Sequence, residues 1–166
     1  MTETRKLEKR KQESDVHIDW MMRRDMPKVL AIESVAFANP WTEDDFIRCL
    51  RQRNCVGKVA RLGDDSVVAF MVYSLHENKI RLLNLAVHAE QRRQGIGCQM
   101  VEKLIGKLSQ QRRNVIVTEV RETNLDAQLF LSATGFVATG VLKDFYDTTT
   151  EDAYTMQFRH GWESGG

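Results

Sequence analysis

The sequence predicts one mixed α/β domain, with a mostly antiparallel sheet of about seven strands and about four helices distributed over both faces. Three consecutive strand-like runs, at 55–62, 66–75 and 79–87, are joined by turns short enough for hairpins. A helix-length stretch that starts at residue 96 separates the third run from a β-branched strand at 114–120. Because such a connection favours a right-handed parallel crossover, we expect at least one parallel pair in the sheet.

The remaining elements are indicated by capping residues and helix breakers. Asp25 is predicted to cap a helix that follows a first strand at 16–22. Asn39-Pro40-Trp41 breaks this helix, and Thr42 with the three acids after it begins a second helix that runs to Leu50. A short helix and a closing hairpin complete the chain, predicted over 125–133, 136–145 and 152–158.

Composition limits the classes of function that need to be considered. The chain has 166 residues and a formal net charge of +1, so no global field points to nucleic acid or a membrane surface. No apolar run is long enough for a membrane span, and the N-terminal segment is too charged for a secretory signal. We divide the chain into a charged extension at 1–15, expected to be mobile, a domain at 16–159 and a tail at 160–166.

The cysteines argue for a reducing environment. Cys49, Cys55 and Cys98 lack the spacing of a metal site or a disulfide framework. An odd number of unpatterned thiols is typical of the cytoplasm, which is the location we expect. The sequence therefore predicts neither zinc binding nor redox chemistry.

The stretch 81–100 carries the pattern of a phosphate-binding turn: an apolar strand, a polar turn and a glycine-rich helix start. Gly95 and Gly97 let the backbone approach a ligand, and amides at a helix N-terminus favour an anion. A P-loop would need Lys and Ser or Thr after Gly97, and a dinucleotide fold would need a glycine at Met100. Coenzyme A, which joins a pyrophosphate to a peptide-like arm, fits the pattern better.

The coenzyme A interpretation assigns a role to each part of this stretch. The backbone amides of 94–98 would hold the pyrophosphate, and the backbone at the end of the strand would pair with the pantetheine arm. Arginine side chains just before the glycines would offset phosphate charge, although they could equally be solvated. The predicted cofactor-binding residues here are Leu85, Ala86, Val87, Arg92, Arg93, Gln94, Gly95, Ile96, Gly97 and Cys98.

Arg92-x-x-Gly95-x-Gly97 after an apolar strand resembles the acetyl-CoA motif of the GNAT N-acetyltransferases. More narrowly, the chain resembles the RimI-like protein N-terminal acetyltransferases over about residues 18–158. The further matching stretches are Ile32-Glu33, Ala36-Phe37, Pro40-Trp41-Thr42-Glu43, Asn84-Leu85-Ala86-Val87, Thr118-Glu119-Val120-Arg121, Gly135-Phe136 and Phe145-Tyr146. The resemblance implies a GNAT fold and acetyl-CoA as cosubstrate, without a metal.

Glu119 is the candidate catalytic residue. Acetyl transfer requires a neutral amine, and Glu119 is the one carboxylate in the predicted strand at 114–120. From the residues alone, a salt bridge with Arg121 explains it equally well, because the two share a strand face. Three histidines are rival bases on chemical grounds: His17, His76 and His88. The resemblance favours Glu119, which falls on the catalytic glutamate of the family.

The resemblance also assigns residues to the cofactor and the acceptor. Asn124 would contact the cofactor, although its position before a helix is explained by N-capping alone. The family tyrosine that protonates the departing thiolate falls on Leu131, which has no hydroxyl group. The acceptor is expected between two loops, with Phe37, Trp41 and Tyr146 as the substrate-binding residues.

We therefore predict an acyltransferase that moves an acetyl group from acetyl-CoA to a protein N-terminus by direct attack in a ternary complex. The resemblance makes a ribosomal protein that begins with alanine the expected partner, with no nucleic acid or membrane contact. Two alternatives remain: a GNAT enzyme that acetylates a lysine side chain or a small amine, and a coenzyme A-binding module with little catalysis. The sequence does not predict an oligomeric state.

Overall fold

The computed structural model describes residues 16–146 and 149–163. The predicted mobile extension at 1–15 and the last three residues of the predicted tail lie outside this range, and the domain boundaries at 16 and 159 stay a prediction. Two compact units interleave along the chain. The first unit comprises the chain through Val72 together with Asn84–Met100, and the second comprises Tyr73–Leu83 together with the chain from Val101 onward.

Seven strands and four α-helices form the described fold, as the sequence predicts. The strands are β1 (His17–Trp20), β2 (Cys55–Arg61), β3 (Val67–Leu75), β4 (Lys79–Val87), β5 (Val115–Arg121), β6 (Val137–Leu142) and β7 (Ala153–Arg159). The helices are α1 (Met26–Ala36), α2 (Glu43–Leu50), α3 (Ile96–Ile105) and α4 (Leu125–Ala133). Single 3₁₀ turns lie at Arg23–Asp25 and Ala89–Gln91.

The sheet is mixed, with the strand order β1-β2-β3-β4-β5-β7-β6. Strands β4 and β5 pair in parallel, with Arg81 opposite Val117, which confirms the predicted parallel pair. The pairs β1–β2, β5–β7 and β6–β7 are antiparallel. Along β5 the side chains alternate between buried and half-buried, so one face of this strand keeps contact with solvent.

Each unit has its own aromatic contacts in the core. In the first unit, Phe46 of α2 is fully buried and lies edge-on to Phe70 of β3, with ring centroids 5.6 Å apart. In the second unit, Phe136 lies 5.7 Å from Phe158 of β7. Aromatic pairs at these separations add to the stabilisation that burial of apolar area supplies.

Local signals predicted several element boundaries correctly. Thr42 Oγ1 accepts from Asp45 N (3.2 Å) and Asp45 Oδ2 accepts from Thr42 N (2.8 Å), which is the predicted capping box of α2. Helix α4 has the predicted bounds, and Gly135, at φ 103°, ends it in a conformation that favours glycine.

The predicted closing hairpin and the predicted first strand are both longer than the observed elements. Strand β6 ends at Leu142, not at 145, because Asp144 takes a left-handed φ of 48° and its N–H donates to Asp152 Oδ1 (2.9 Å). Strand β1 ends at Trp20, not at 22, because the chain turns into the 3₁₀ segment that follows.

The predicted capping of α1 by the Asp25 side chain is wrong. Its carboxylate accepts hydrogen bonds from Met22 N (2.8 Å) and from Arg61 Nη2 (2.7 Å), and it makes none to the amides of α1. Both members of the Asp25–Arg61 ion pair are buried, at 4% and 6% exposure. Burial alone would raise the pKa of Asp25, but the bonds from Arg61 and Met22 outweigh it and lower that pKa overall.

Two of the three free cysteines lie close together, a contact that the spacing in the sequence does not indicate. Cys49 Sγ and Cys55 Sγ lie 3.1 Å apart, although both are present as thiols. Among the described residues, no helix is long and apolar enough to cross a membrane. Within residues 16–146 and 149–163, no group of three or more histidine, cysteine or acidic side chains is arranged to hold a metal ion.

We predict that Asp25→Asn destabilises the protein by about 3 kcal/mol, because the Arg61 guanidinium loses its buried partner and keeps the exposed Asp65 carboxylate, 3.7 Å from its Nε. The stabilisation depends on the ionised carboxylate, whose folded-state pKa is lowered. It should therefore be present above the unfolded pKa of about 4 and be lost as the pH falls through the folded-state pKa. Urea unfolding followed by circular dichroism at pH 7 and pH 3 measures both effects.

The matched control is Asp19→Asn. Asp19 is about half exposed, and its Oδ2 lies 3.9 Å from Nε2 of the still more exposed His17, so its loss should change stability by less than about 0.5 kcal/mol. Equal destabilisation by the two variants at pH 7 would contradict the role of the buried ion pair.

Candidate active site

Glu119 lies near the end of β5, on the half-buried face of that strand, and its side chain is 14% exposed. Its carboxylate forms an ion pair with Arg81 of β4, whose side chain is 32% exposed. The parallel register places Arg81 beside Val117, which is two residues before Glu119 on β5. The side chains of Arg81 and Glu119 therefore lie on the same face of the sheet. The ion partner of Glu119 is thus on the neighbouring strand and is not Arg121, the partner that the sequence suggests.

Arg121 instead joins the end of β5 to the loop between β6 and β7. Its Nη1 donates to Thr149 Oγ1 (3.0 Å) and lies 3.4 Å from Glu151 Oε2. Its guanidinium also stacks on the ring of Tyr146, 3.7 Å from the centroid. The loop that the sequence assigns to the acceptor is therefore held against β5 by one cation.

Tyr146 is the tyrosine whose surroundings include Glu119. Burial raises the pKa of its phenol, Arg121 lowers it, and the charges of Glu119 and Glu151 raise it further. The net effect is upward, so the phenol is a hydrogen-bond donor at neutral pH. The hydroxyl groups of the other two tyrosines are elsewhere: Tyr73 is buried, and Tyr154 lies opposite Val120, on the other face of the sheet from Glu119.

Asn124 has the capping role that the residues alone predict. Its Oδ1 accepts from Ala127 N (3.1 Å) at the start of α4, and its contact with a cofactor stays a prediction. Gln128 Nε2 donates to the carbonyls of Arg121 and Glu122 (3.0 Å each), which fastens α4 to the end of β5. Leu131 is buried in this helix, at 5% exposure.

The predicted cofactor segment follows the expected course in the first unit, from the end of β4 through a 3₁₀ turn into α3. Gly95 has φ 76°, a backbone conformation that disfavours a side chain there, and Gly97 is buried. Gln99 N donates to Gly95 O (3.0 Å), which closes the first turn of α3. The amides of Gly95, Ile96 and Gly97 come before that bond, where helix N-termini receive phosphates.

The flanking arginines are exposed. Arg92 Nε lies 3.5 Å from the carbonyl of Val87, so this side chain folds back toward the end of β4. Arg93 takes a left-handed φ of 65°. Leu85 and Val87 are half-buried on one face of β4, and Ala86 is buried on the other. A backbone cradle beside two exposed cations has the chemistry that a pyrophosphate requires, and these residues fit coenzyme A.

Glu33 of α1 organises the predicted acceptor loop in the first unit, a role that sequence reasoning missed. It is 1% exposed, and its two carboxylate oxygens accept from Trp41 N (2.9 Å) and from Asn84 Nδ2 (2.9 Å). Burial raises the pKa of Glu33, and these two hydrogen bonds oppose the rise. The sequence feature that could have indicated this role is an acidic residue next to Ile32, on the apolar side of the predicted helix.

Trp41 and Phe37 are both half-buried in this loop. The ring of Trp41 lies edge-on to Phe46, with centroids 5.1 Å apart, so part of its surface is used in packing. The rival histidines make local contacts. His76 Nε2 lies 2.9 Å from Ser74 Oγ, His88 Nδ1 accepts from Glu90 N (3.1 Å), and His17 is an exposed neighbour of Asp19.

Known proteins match this chain over most of its length. The acetyltransferase (GNAT) family profile matches residues 20–136. The [ribosomal protein bS18]-alanine N-acetyltransferase of Escherichia coli K12 is 30% identical over 134 residues, which cover 80% of this chain and 89% of that protein. The crystal structure of the Escherichia coli enzyme superposes with a TM-score of 0.75 at 25% identity, over 88% of this chain and 94% of that one.

A third comparison supports the fold alone. Arabidopsis thaliana Naa50, solved with the bisubstrate analogue CoA-Ac-MVNAL, has a TM-score of 0.72 at 20% identity, over 86% of this chain and 97% of that one. The predicted acyltransferase class and GNAT fold are confirmed, and acetyl-CoA is the cosubstrate that this family uses. The chain belongs to the GNAT acetyltransferase family.

Proposed function

We propose that this protein transfers an acetyl group from acetyl-CoA to the N-terminal α-amino group of a cytoplasmic protein, with a ribosomal protein as the first candidate. The observation that carries the proposal is Glu119, a largely buried carboxylate held by Arg81 at the end of β5. The relative from Escherichia coli, whose name gives the alanine of ribosomal protein bS18 as its target, supports the choice of acceptor.

The cofactor assignment follows from the cradle at the start of α3. The backbone amides of Gly95, Ile96 and Gly97 bind the pyrophosphate, and Arg92 and Arg93 offset its charge. The half-buried backbone at Leu85 and Val87 pairs with the pantetheine arm, while Ala86, Gln94, Cys98 and Asn124 complete the predicted contact set. The thioester is then carried by the cofactor, and the protein supplies orientation and proton transfer.

Glu119 acts as the general base, directly or through a water molecule. An α-amino group has a pKa near 8 and a lysine side chain has one near 10.4, so at pH 7.5 the neutral fraction of the α-amine is roughly 10²-fold larger. A carboxylate base therefore suffices for an N-terminus, whereas a lysine would need a stronger one. This difference favours an N-terminal acceptor over a lysine side chain.

Phe37, Trp41 and Tyr146 are assigned to the acceptor peptide. Each presents an aromatic ring, and Trp41 and Tyr146 add a polar tip that can bind a peptide backbone. Because Leu131 is buried and has no hydroxyl, the departing thiolate receives no proton from that position. A thiol with a pKa near 8.5 leaves as a thiolate without obligatory protonation, so turnover does not require a tyrosine at 131.

The decisive experiment offers acetyl-CoA and four peptides to the full-length protein. The peptides have a free or a formylated N-terminus, each with or without an internal lysine, and the free N-terminus is alanine. We expect acetylation of both free peptides and of neither blocked one, detected by mass spectrometry at the N-terminal residue. Acetylation of the blocked lysine peptide would establish the lysine alternative, and tight coenzyme A binding without any transfer would establish the alternative of a coenzyme A-binding module.

Glu119→Gln should lower kcat by about 10²-fold, because the amide retains the shape of the side chain but cannot accept the proton of the amine. The Kd of coenzyme A, measured by isothermal titration calorimetry, should stay within about twofold of the wild-type value. A variant that keeps wild-type kcat would remove Glu119 from the mechanism.

The contact between Arg81 and Glu119 allows a sharper form of the same test. Arg81→Gln should lower kcat in the wild-type background, since the carboxylate loses the cation that orients it. In the Glu119→Gln background the same change should have little further effect. Lys79→Gln, two residues earlier on the same face of β4, is the matched control. Multiplicative losses in the double variant would show that Arg81 acts independently of Glu119.

Gly97→Glu should abolish measurable coenzyme A binding, because it adds bulk and negative charge at a buried position of the phosphate cradle. Gly63→Glu, in a turn where an added Cβ has no neighbour within 4 Å, controls for the charge itself. Circular dichroism must show both variants folded. Normal binding by folded Gly97→Glu would disprove the cradle assignment.

A further inference from the structure

Two of the three thiols of this chain meet at the junction of α2 and β2. Cys49 is in the last turn of α2, Cys55 is the first residue of β2, and their Sγ atoms lie 3.1 Å apart. The turn between them is held by its own backbone, since Gln52 N donates to Cys49 O (3.1 Å) and Cys55 N donates to Gln52 O (3.1 Å). The approach of the two sulfurs is therefore built into an ordered turn.

We propose that Cys49 and Cys55 form a reversible disulfide when the protein meets a hydroperoxide. A disulfide bond is about 2.05 Å long, so the sulfurs need to approach by only about 1 Å. Both residues are half-buried, which leaves them accessible to a molecule as small as hydrogen peroxide. This oxidation site is independent of acetyl transfer, since neither thiol has a place in that reaction.

The chemistry proceeds in two balanced steps. One thiolate attacks an oxygen of hydrogen peroxide, the O–O bond breaks, and a sulfenic acid and water result. The sulfur of the second thiol then attacks the sulfenic sulfur and expels its oxygen as a second water molecule. Two thiols and one hydrogen peroxide thus become one disulfide and two water molecules, and a dithiol reductant reverses the change.

The surroundings of the pair set its rate. Burial and the neighbouring Cys55 thiol raise the pKa of Cys49 to about 12, so Cys49 stays protonated at neutral pH. Cys49 is therefore the resolving thiol, and because a thiolate attacks faster than a thiol, its closure of the disulfide should become faster as the pH rises. Such a pair serves to capture a sulfenic acid before irreversible oxidation to the sulfinic level.

The disulfide does not displace the predicted acceptor loop that carries Trp41. It closes a short ring at the end of α2, whereas Trp41 lies before the start of that helix. Phe46, between these points, is already fixed by Trp41 and Phe70 at ring distances of 5.1 and 5.6 Å. We therefore infer a protective role for the disulfide and expect the oxidised protein to keep its activity.

The test uses the full-length protein, reduced, freed of reductant and treated with hydrogen peroxide before alkylation and tryptic digestion. Trypsin cleaves after Arg48, Arg51, Arg53 and Lys58, so the disulfide should appear as residues 49–51 linked to residues 54–58. Dithiothreitol should separate the two peptides. Alkylation of both cysteines in the peroxide-treated wild type, or a link that involves Cys98, would overturn the proposal.

Two variants complete the test, and neither readout depends on acetyl transfer. Cys98→Ser removes the third half-buried thiol and should leave the linked peptides unchanged. Cys49→Ser removes the resolving thiol, so the same dose of peroxide should convert Cys55 to the sulfinic acid, which the wild type avoids. Equal sulfinic acid at Cys55 in the wild type and in Cys49→Ser would refute protection.

Discussion

The ion pair between Arg81 and Glu119 is the contact on which the second unit's chemistry depends. A carboxylate that is only 14% exposed is costly unless a cation or several donors compensate it. Compensation comes from β4, the parallel neighbour, and Thr118 Oγ1 adds a hydrogen bond to Leu82 O (2.9 Å) between the same strands. The candidate base is thus held by the strand pair itself, and rigid strands position a reacting group better than loops do.

This pairing also determines what Arg121 can do. Two ion pairs form near the end of β5, Arg81–Glu119 and Arg121–Glu151. If Glu119 had drawn Arg121, the loop between β6 and β7 would lose its bonds at Thr149 and Glu151 and the cation that stacks on Tyr146. A base compensated from β4 therefore leaves Arg121 available to place the loop that we assign to the acceptor.

The sequence predicts those features that depend on neighbouring residues. The capping box of α2 and the ends of α4 are encoded within four residues of the boundary, and both predictions are confirmed. The partners of Glu119 and Glu33 lie 38 and 51 residues away, at positions that only the strand pairing reveals. Asp25 shows how the two levels compete: its local signal is that of a cap, but Arg61, 36 residues later, binds its carboxylate.

The cysteine pair shows that closeness in sequence is not sufficient for prediction. Cys49 and Cys55 are six residues apart, but they meet only because the intervening turn is closed by its own hydrogen bonds.

Glu33 also acts through contacts that the sequence does not reveal. Its two carboxylate oxygens accept hydrogen bonds from Trp41, in the acceptor loop between α1 and α2, and from Asn84, the residue before Leu85 in the predicted cofactor strand β4. Because one buried carboxylate satisfies both donors, a shift of the loop that broke one bond would leave a buried polar group unpaired. The position of the acceptor loop is therefore set by a residue whose hydrogen bonds are all used inside the protein, and selectivity can change through it without any change at Phe37, Trp41 or Tyr146.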